Sequence, residues 1–139
     1  MPAQNKNQGA KLAKAIQDAM ERGIQEAVSQ LDADLKAGSP VDEGRFRLGW
    51  THVQAKGDPT TNAVPAENPS GEYPAPQDLD PTSVNPKLNQ RIINNLPYAS
   101  RLCRDGWSKK TSADWFLKIE NQWLNGKYLD DAYRSQGLK

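Results

Sequence analysis

One apolar stripe at the period of an α-helix dominates the first quarter of the chain. Residues 8–37 contain no proline, and Lys, Gln, Asp and Glu separate large apolar residues that recur at steps of three or four. Those apolar residues are Leu12, Ile16, Met20, Ile24, Val28, Leu31 and Leu35. The pattern predicts one long helix, which Gly38 ends and Pro40 prevents from resuming.

A helix over this range would be on the order of 40 Å long, which is more than a small domain covers. Two interpretations stay open at this point. Either one end packs on the core and the rest is solvated, or the uncovered length contacts a neighbouring subunit.

Alternation at period 2 follows the helix. Phe46, Leu48 and Trp50 alternate with polar or small residues after a turn that contains Asp42 and Gly44. Residues 45–56 are therefore predicted to form a strand, and residues 88–95, which contain Ile92 and Ile93, a second one.

Residues 57–86 hold seven of the ten prolines. Because proline removes a backbone donor and fixes φ, regular structure is not expected there. A long loop of this kind is either a disordered insert or an extended arm that becomes ordered on a neighbouring subunit. In the second case, Tyr73 and Leu79 are the predicted anchors.

The C-terminal part predicts further helices. Asp105 and Gly106 mark a turn, and a helix begins at Thr111 or Ser112 with Asp114 in its first turn. It ends near Asn125, with Gly126 as terminator, before a short final helix. We therefore expect one α+β domain over residues 1–139, with a small, mostly antiparallel sheet formed from 45–56 and 88–104.

Composition narrows the functional classes. The chain is 36% hydrophobic and carries a net charge of +1, so no global field attracts nucleic acid or a membrane surface. No apolar run approaches the roughly 20 residues that span a bilayer, and the first residues lack a signal-peptide core. The sequence predicts a protein made in the cytoplasm that orders in part against a partner.

Candidate chemistry is sparse. His52 and Cys103 are the only histidine and cysteine, and neither stands in a metal-binding spacing, so no metal or cofactor site is predicted. A nucleophilic Cys–His pair would rest on these two residues alone, and a packed Cys103 is the simpler interpretation. The sequence therefore does not indicate an enzyme.

Two segments resemble the signature of a known family. The first contains Pro40, Val41, Asp42, Gly44, Arg47 and Trp50, and the second Asn94, Asn95, Pro97, Tyr98 and Ala99, with Trp107 further on. Together they are similar to the neck, head–tail joining or tail-completion proteins of tailed phages, the family of the lambda minor tail protein Z. The proline-rich segment is longer here than that family leads us to expect.

The resemblance implies a structural virion protein without catalysis. It implies a homo-oligomeric ring, of roughly six or twelve copies, between the portal-side connector and the tail, around the DNA channel. On this view Asp42, Gly44, Arg47, Trp50 and Tyr98 belong to a subunit interface, with Pro97, Trp107, Tyr73 and Leu79.

Basic residues cluster near both segments. They can line the channel or pair with acidic residues of the next ring, whereas a solvated face is the plain alternative. With Trp50 and Trp107, they also suit a small nucleic-acid-binding domain, which is the alternative function. The basic candidates are Arg45, Arg47, Arg91, Arg101, Arg104, Lys109 and Lys110.

Overall fold

A computed structural model describes residues 2–41, 44–104 and 113–138, and of residues 2–6 it describes the backbone alone. The helices are α1 (Pro2–Gly38), α2 (Arg45–Leu48), α3 (Ala99–Arg104), α4 (Trp115–Leu124) and α5 (Lys127–Ser135). The strands are β1 (Trp50–Ala55) and β2 (Asn89–Asn94), and a 3-10 turn spans Pro81–Ser83. The predicted α+β class, with a long N-terminal helix, a small antiparallel sheet and C-terminal helices, is confirmed.

The long helix forms as its stripe predicts, and α4 and α5 pack against its C-terminal half. Gly126 has a φ of 84°, a left-handed conformation that glycine adopts without steric cost. It separates α4 from α5 as predicted, which lets α5 return along α1. There Ala27 of α1 packs with Tyr128 and Ala132 of α5, all of them buried.

The two strands pair antiparallel in a register that sets Trp50 opposite Asn94 and Ala55 opposite Asn89. This register brings the start of β1 and the end of β2 to the same end of the sheet, next to the C-terminal end of α1. The main core lies there. Its buried members are Leu35, Phe46, Trp50, Leu96, Cys103 and Trp115.

The predicted extent of the sheet is wrong at both ends. Residues 45–48 form a single helical turn, in which the Leu48 amide donates to the Gly44 carbonyl at 3.2 Å. Residues 99–104 form α3. A turn as short as α2 contains too few residues to separate a helical period from the alternation of Phe46 and Leu48.

The start of the C-terminal helix also differs from expectation. The helix begins at Trp115, and Asp114 stands at its N-cap position, where its side chain makes no capping hydrogen bond. Thr111, Ser112 and the turn at Asp105 and Gly106 lie outside the described residues, as do Asp42 and Glu43.

Candidate functional site: the two signature segments

The first signature segment ties the start of β1 to the end of α1. The Trp50 indole N–H donates to the Ser39 hydroxyl oxygen at 2.8 Å, and that hydroxyl donates to the Leu35 carbonyl at 2.5 Å. Trp50 is buried. Gly44, between the two elements, has a φ of 94°, a left-handed conformation that glycine adopts without steric cost.

The second signature segment fastens the first one in place. The Asn94 side-chain amide donates to the Phe46 carbonyl at 2.8 Å, and its oxygen accepts from the Leu96 amide at 3.2 Å. A Cβ at Gly49 would lie 2.7 Å from that same oxygen, so a larger residue there would displace the Asn94 side chain. Asn94 therefore holds the α2 turn against the chain that leaves β2.

An aromatic cluster joins the two segments, and Phe46 lies at its centre. The Phe46 ring centroid is 5.6 Å from that of Trp50, 6.4 Å from that of Tyr98 and 6.1 Å from that of Trp115. Trp50 and Tyr98 therefore belong to one cluster beside the sheet, in which Phe46 contacts both rings. Such ring pairs add about 0.5–1.5 kcal/mol each beyond the area that they bury.

Most of the basic candidates that the structure describes have partners within their own chain. Arg45 donates to the Pro65 carbonyl and lies 3.6 Å from the Glu67 carboxylate. Arg91 is 2.5 Å from Asp58, and Arg104 is 2.9 Å from Glu120. These contacts neutralise much of the predicted positive stripe.

The other basic candidates differ from one another. The Arg47 Nε is buried and has no hydrogen-bond partner within residues 2–41, 44–104 and 113–138. Arg101 is exposed, and Lys109 and Lys110, like Trp107, lie outside the described residues. Among these candidates, the Nε–H of Arg47 is therefore the donor that most needs a partner, because an unsatisfied buried donor costs about 1–3 kcal/mol.

The segment between the strands is attached to its own domain through its carbonyl groups. Ser29 donates to the Leu79 carbonyl at 2.8 Å, and Gln25 to that of Val84 at 3.0 Å. Asn95 donates to the Thr61 carbonyl at 2.6 Å. Val84 is 1% exposed, so this part of the proline-rich segment closes against the domain instead of leaving it.

The two predicted anchors in that segment lie differently. The Tyr73 hydroxyl accepts from the Asn68 amide at 2.8 Å, and its Cβ would be 3.4 Å from a Cβ at Gly44. Leu79 is half-buried, and its carbonyl is bonded as described. Their contact with a neighbouring subunit stays a prediction, as does the interface role of exposed Pro97.

Cys103 is buried, and His52 lies within hydrogen-bond distance of a neighbouring strand. Burial raises the pKa of the Cys103 thiol to about 11, so the thiol is protonated at neutral pH. His52 Nε2 lies 2.6 Å from the Gln90 side-chain oxygen, on the neighbouring strand. In the described part of the chain, no group of three or more His, Cys, Asp or Glu side chains could hold a metal ion.

Sequence reasoning missed three contacts that hold the site together. Ser39, Phe46 and Asn94 supply the hydroxyl acceptor, the central ring and the amide clamp. Asn94 was part of the signature pattern, but nothing in its spacing indicated that it would bond to the carbonyl of Phe46. That the two segments are hydrogen-bonded to each other could therefore be seen only in the structure.

Comparisons with protein-family models, curated proteins and solved structures find no match to this chain. The likeness to phage neck proteins therefore rests on the signature residues themselves. Among the described residues, no helix is long and apolar enough to cross a membrane.

Proposed function

We propose that this chain is a structural virion protein that forms a ring in the neck of a tailed phage, joins the head to the tail and encloses the DNA channel. The observation that carries the proposal is that the two signature segments, far apart in sequence, meet in one unit. Asn94 bonds to Phe46, and Phe46 contacts both Trp50 and Tyr98. Because the two segments contact each other, they can form one surface for binding a neighbouring protein.

In this role the chain has protein partners and no substrate. It assembles with further copies of itself, roughly six or twelve, and contacts the portal or connector on one side and the tail terminator or tail proteins on the other. It is made in the host cytoplasm and ends in the virion. Cofactors and catalysis have no part in the role, and contact with channel DNA is non-specific.

Arg47 is the signature residue that we place at the subunit interface. Its buried Nε has no hydrogen-bond partner in the described part of the chain, and arginine is over-represented in interfaces because its planar donors match a carboxylate. Arg47 is partly exposed, so we propose that its terminal guanidinium nitrogens bind a carboxylate of a neighbouring copy. Arg47→Ala should then weaken assembly at least tenfold, whereas Arg45→Ala, whose partners are Pro65 and Glu67, should affect assembly much less.

The proline-rich segment is the second proposed contact. It has few large apolar groups, and we propose that the stretch around Tyr73 and Leu79 becomes covered by an adjacent subunit. Limited proteolysis should cut the exposed middle of residues 57–86 first in the free chain, and assembly should protect the same bonds. Equal cleavage rates before and after assembly would show that no adjacent subunit covers this stretch.

The nucleic-acid-binding alternative predicts a different behaviour. It needs unpaired positive charge, whereas Arg45, Arg91 and Arg104 lie beside carboxylates. A DNA affinity of the isolated monomer that falls steeply with salt would favour that alternative. Oligomerisation that does not depend on DNA would favour the neck.

Electron microscopy of particles of the phage that encodes the chain tests the proposal. Decoration with an antibody or a fused tag should mark the junction of head and tail, and reconstruction should place the fold in a closed ring there. Labelling of the capsid surface or the tail tip, or absence from the particle, would contradict a neck role.

A further inference from the structure

The N-terminal half of α1 carries apolar side chains that the described part of the chain leaves exposed. Leu12, Ile16 and Met20 are 62%, 43% and 44% exposed. They follow one another at four-residue steps, so they form a single ridge on one face of the helix. We call these three residues the α1 ridge. It continues the face that packs further along the same helix.

A second apolar surface lies further along α1 in the described part of the chain. A cavity of about 410 Å³ opens between α1, β2, α3 and α4, and we call it the α1–α4 groove. The ion pair of Arg104 and Glu120 lies at this cavity. An apolar floor beside charged residues is the usual anatomy of a protein interface. Its apolar lining includes Val28, Leu31, Ile92, Ala99, Phe116 and Ile119.

The ridge cannot enter the groove of its own chain. Leu12 precedes the groove residue Val28 by 16 residues, and both belong to the same uninterrupted helix. That separation is about 24 Å along the helix axis at 1.5 Å per residue. A second copy of the chain has no such restriction.

We propose that the α1 ridge of one copy docks in the α1–α4 groove of the next. The inference rests on the proposed function, because it names the contact that would join neighbouring subunits of the ring. A helix that presents apolar residues at four-residue steps to an apolar groove is a recurring recognition mode. The contact is head-to-tail, with different surfaces on the two copies, and contacts of that kind generate rings when the rotation closes.

Engineered disulfides test the docking in the full chain. Ile16→Cys in the ridge and Ala99→Cys in the groove are combined with Cys103→Ala, which removes the native thiol. Under mild oxidation we expect covalent dimers and higher species joined through positions 16 and 99, identified by peptide mass. The matched control carries Gln17→Cys in place of Ile16→Cys, because position 17 lies on another face of α1, and it should give at least tenfold less product.

A charged substitution in the ridge tests the docking a second time, without any engineered cysteine. Ile16→Asp should raise the dissociation constant for self-association at least tenfold, whereas Gln17→Asp should change it less than threefold. Both variants should lower the melting temperature of the dissociated chain only slightly and to a similar extent, because both positions are exposed there and Gln17→Asp loses just one surface hydrogen bond, to Glu21.

The other possible outcomes separate the docking from the ring. A closed oligomer that gives no 16–99 product would overturn the docking and leave the ring standing. Disulfides between two copies of Ile16→Cys alone would show that the ridge pairs with itself, which also overturns it. A chain that stays monomeric at every concentration would contradict both the docking and the proposed function.

Discussion

The two halves of α1 carry the same apolar pattern and lie in opposite surroundings. In the first half, Leu12 and Ile16 are 62% and 43% exposed, whereas Val28 and Leu35 in the second half are 3% and 5% exposed. The second half packs against α4 and α5 and joins the aromatic core. A helical period therefore predicts the helix and its apolar face, but it does not say what covers that face.

Different forces hold the two halves. The first half is rich in alanine, the residue with the highest helix propensity, and its polar side chains pair along the helix surface. Lys14 lies 3.3 Å from Asp18, and Gln17 donates to Glu21 at 3.3 Å. Such pairs contribute about 0.2–0.5 kcal/mol each. The second half depends on tertiary packing, so mutations should affect the two halves very differently.

The largest difference is expected between Trp50→Ala and Ile16→Ala. Trp50 packs against the second half of α1 through Ser39 and belongs to the buried core, so its truncation should lower the free energy of unfolding by about 3–5 kcal/mol. Ile16→Ala removes an exposed side chain and should change it by less than about 0.5 kcal/mol. Urea unfolding of the dissociated chain measures both. Similar losses for the two variants would mean that the ridge is already covered in the single chain.

Two glycines in the same helix sharpen the contrast. A Cβ at Gly23 would lie 2.5 Å from the Tyr133 ring, whereas one at Gly9 would meet nothing within 4 Å. We expect Gly23→Ala to destabilise the fold by about 1–3 kcal/mol through overpacking. Gly9→Ala should instead stabilise α1 by up to about 1 kcal/mol, because alanine is the better helix former. Thermal melts of the two variants compare them directly, and a stabilising Gly23→Ala would show that α5 does not pack closely there.

A smaller effect is expected where α5 meets the covered half. The Tyr128 hydroxyl donates to the Asp34 carboxylate at 2.6 Å. Burial first, and then this hydrogen bond, raises the pKa of Tyr128 above its ordinary value of 10.0. Tyr128→Phe should cost about 1–2 kcal/mol at neutral pH, because it removes a hydrogen bond to a charged group.

The raised pKa also fixes the sign of the pH dependence. Below pH 10 the tyrosine is protonated in both states, and its contribution is fully present. Above pH 10 the unfolded chain releases the proton first, so the contribution falls by up to about 1.4 kcal/mol per pH unit. Urea titrations between pH 9 and 11 should therefore show the wild type losing its advantage over Tyr128→Phe. A constant difference across this range would contradict the raised pKa.

Much of the architecture follows from local sequence, and the rest depends on distant contacts. The stripe of α1, the terminator Gly126 and the left-handed Gly44 all rest on residue-level rules that need no tertiary information. The helical turn at Arg45–Leu48 does not, because the Asn94 side chain binds the Phe46 carbonyl from across the sheet. No sequence pattern within residues 45–48 predicts that hydrogen bond.

The candidate site divides in the same way. The signature pattern identified Trp50 and Tyr98 as members of one group, and in the structure both rings contact Phe46. The basic stripe was predicted from clustering alone, and most of its described members bond within the chain. Arg45, for example, reaches Pro65 and Glu67, whose position depends on the path of the proline-rich segment. Sequence spacing carries no information about that path.

The mass of the native full-length protein tests the ring most directly. Native mass spectrometry, over a concentration range and beside Ile16→Asp, should give one dominant closed multimer for the wild type, of roughly six or twelve copies, and smaller species for the variant. A single sharp multimer that the variant loses is the predicted result. A wild-type protein that remains strictly monomeric, both free and when recovered from assembled particles, would contradict the ring and the interface drawn from the uncovered half of α1.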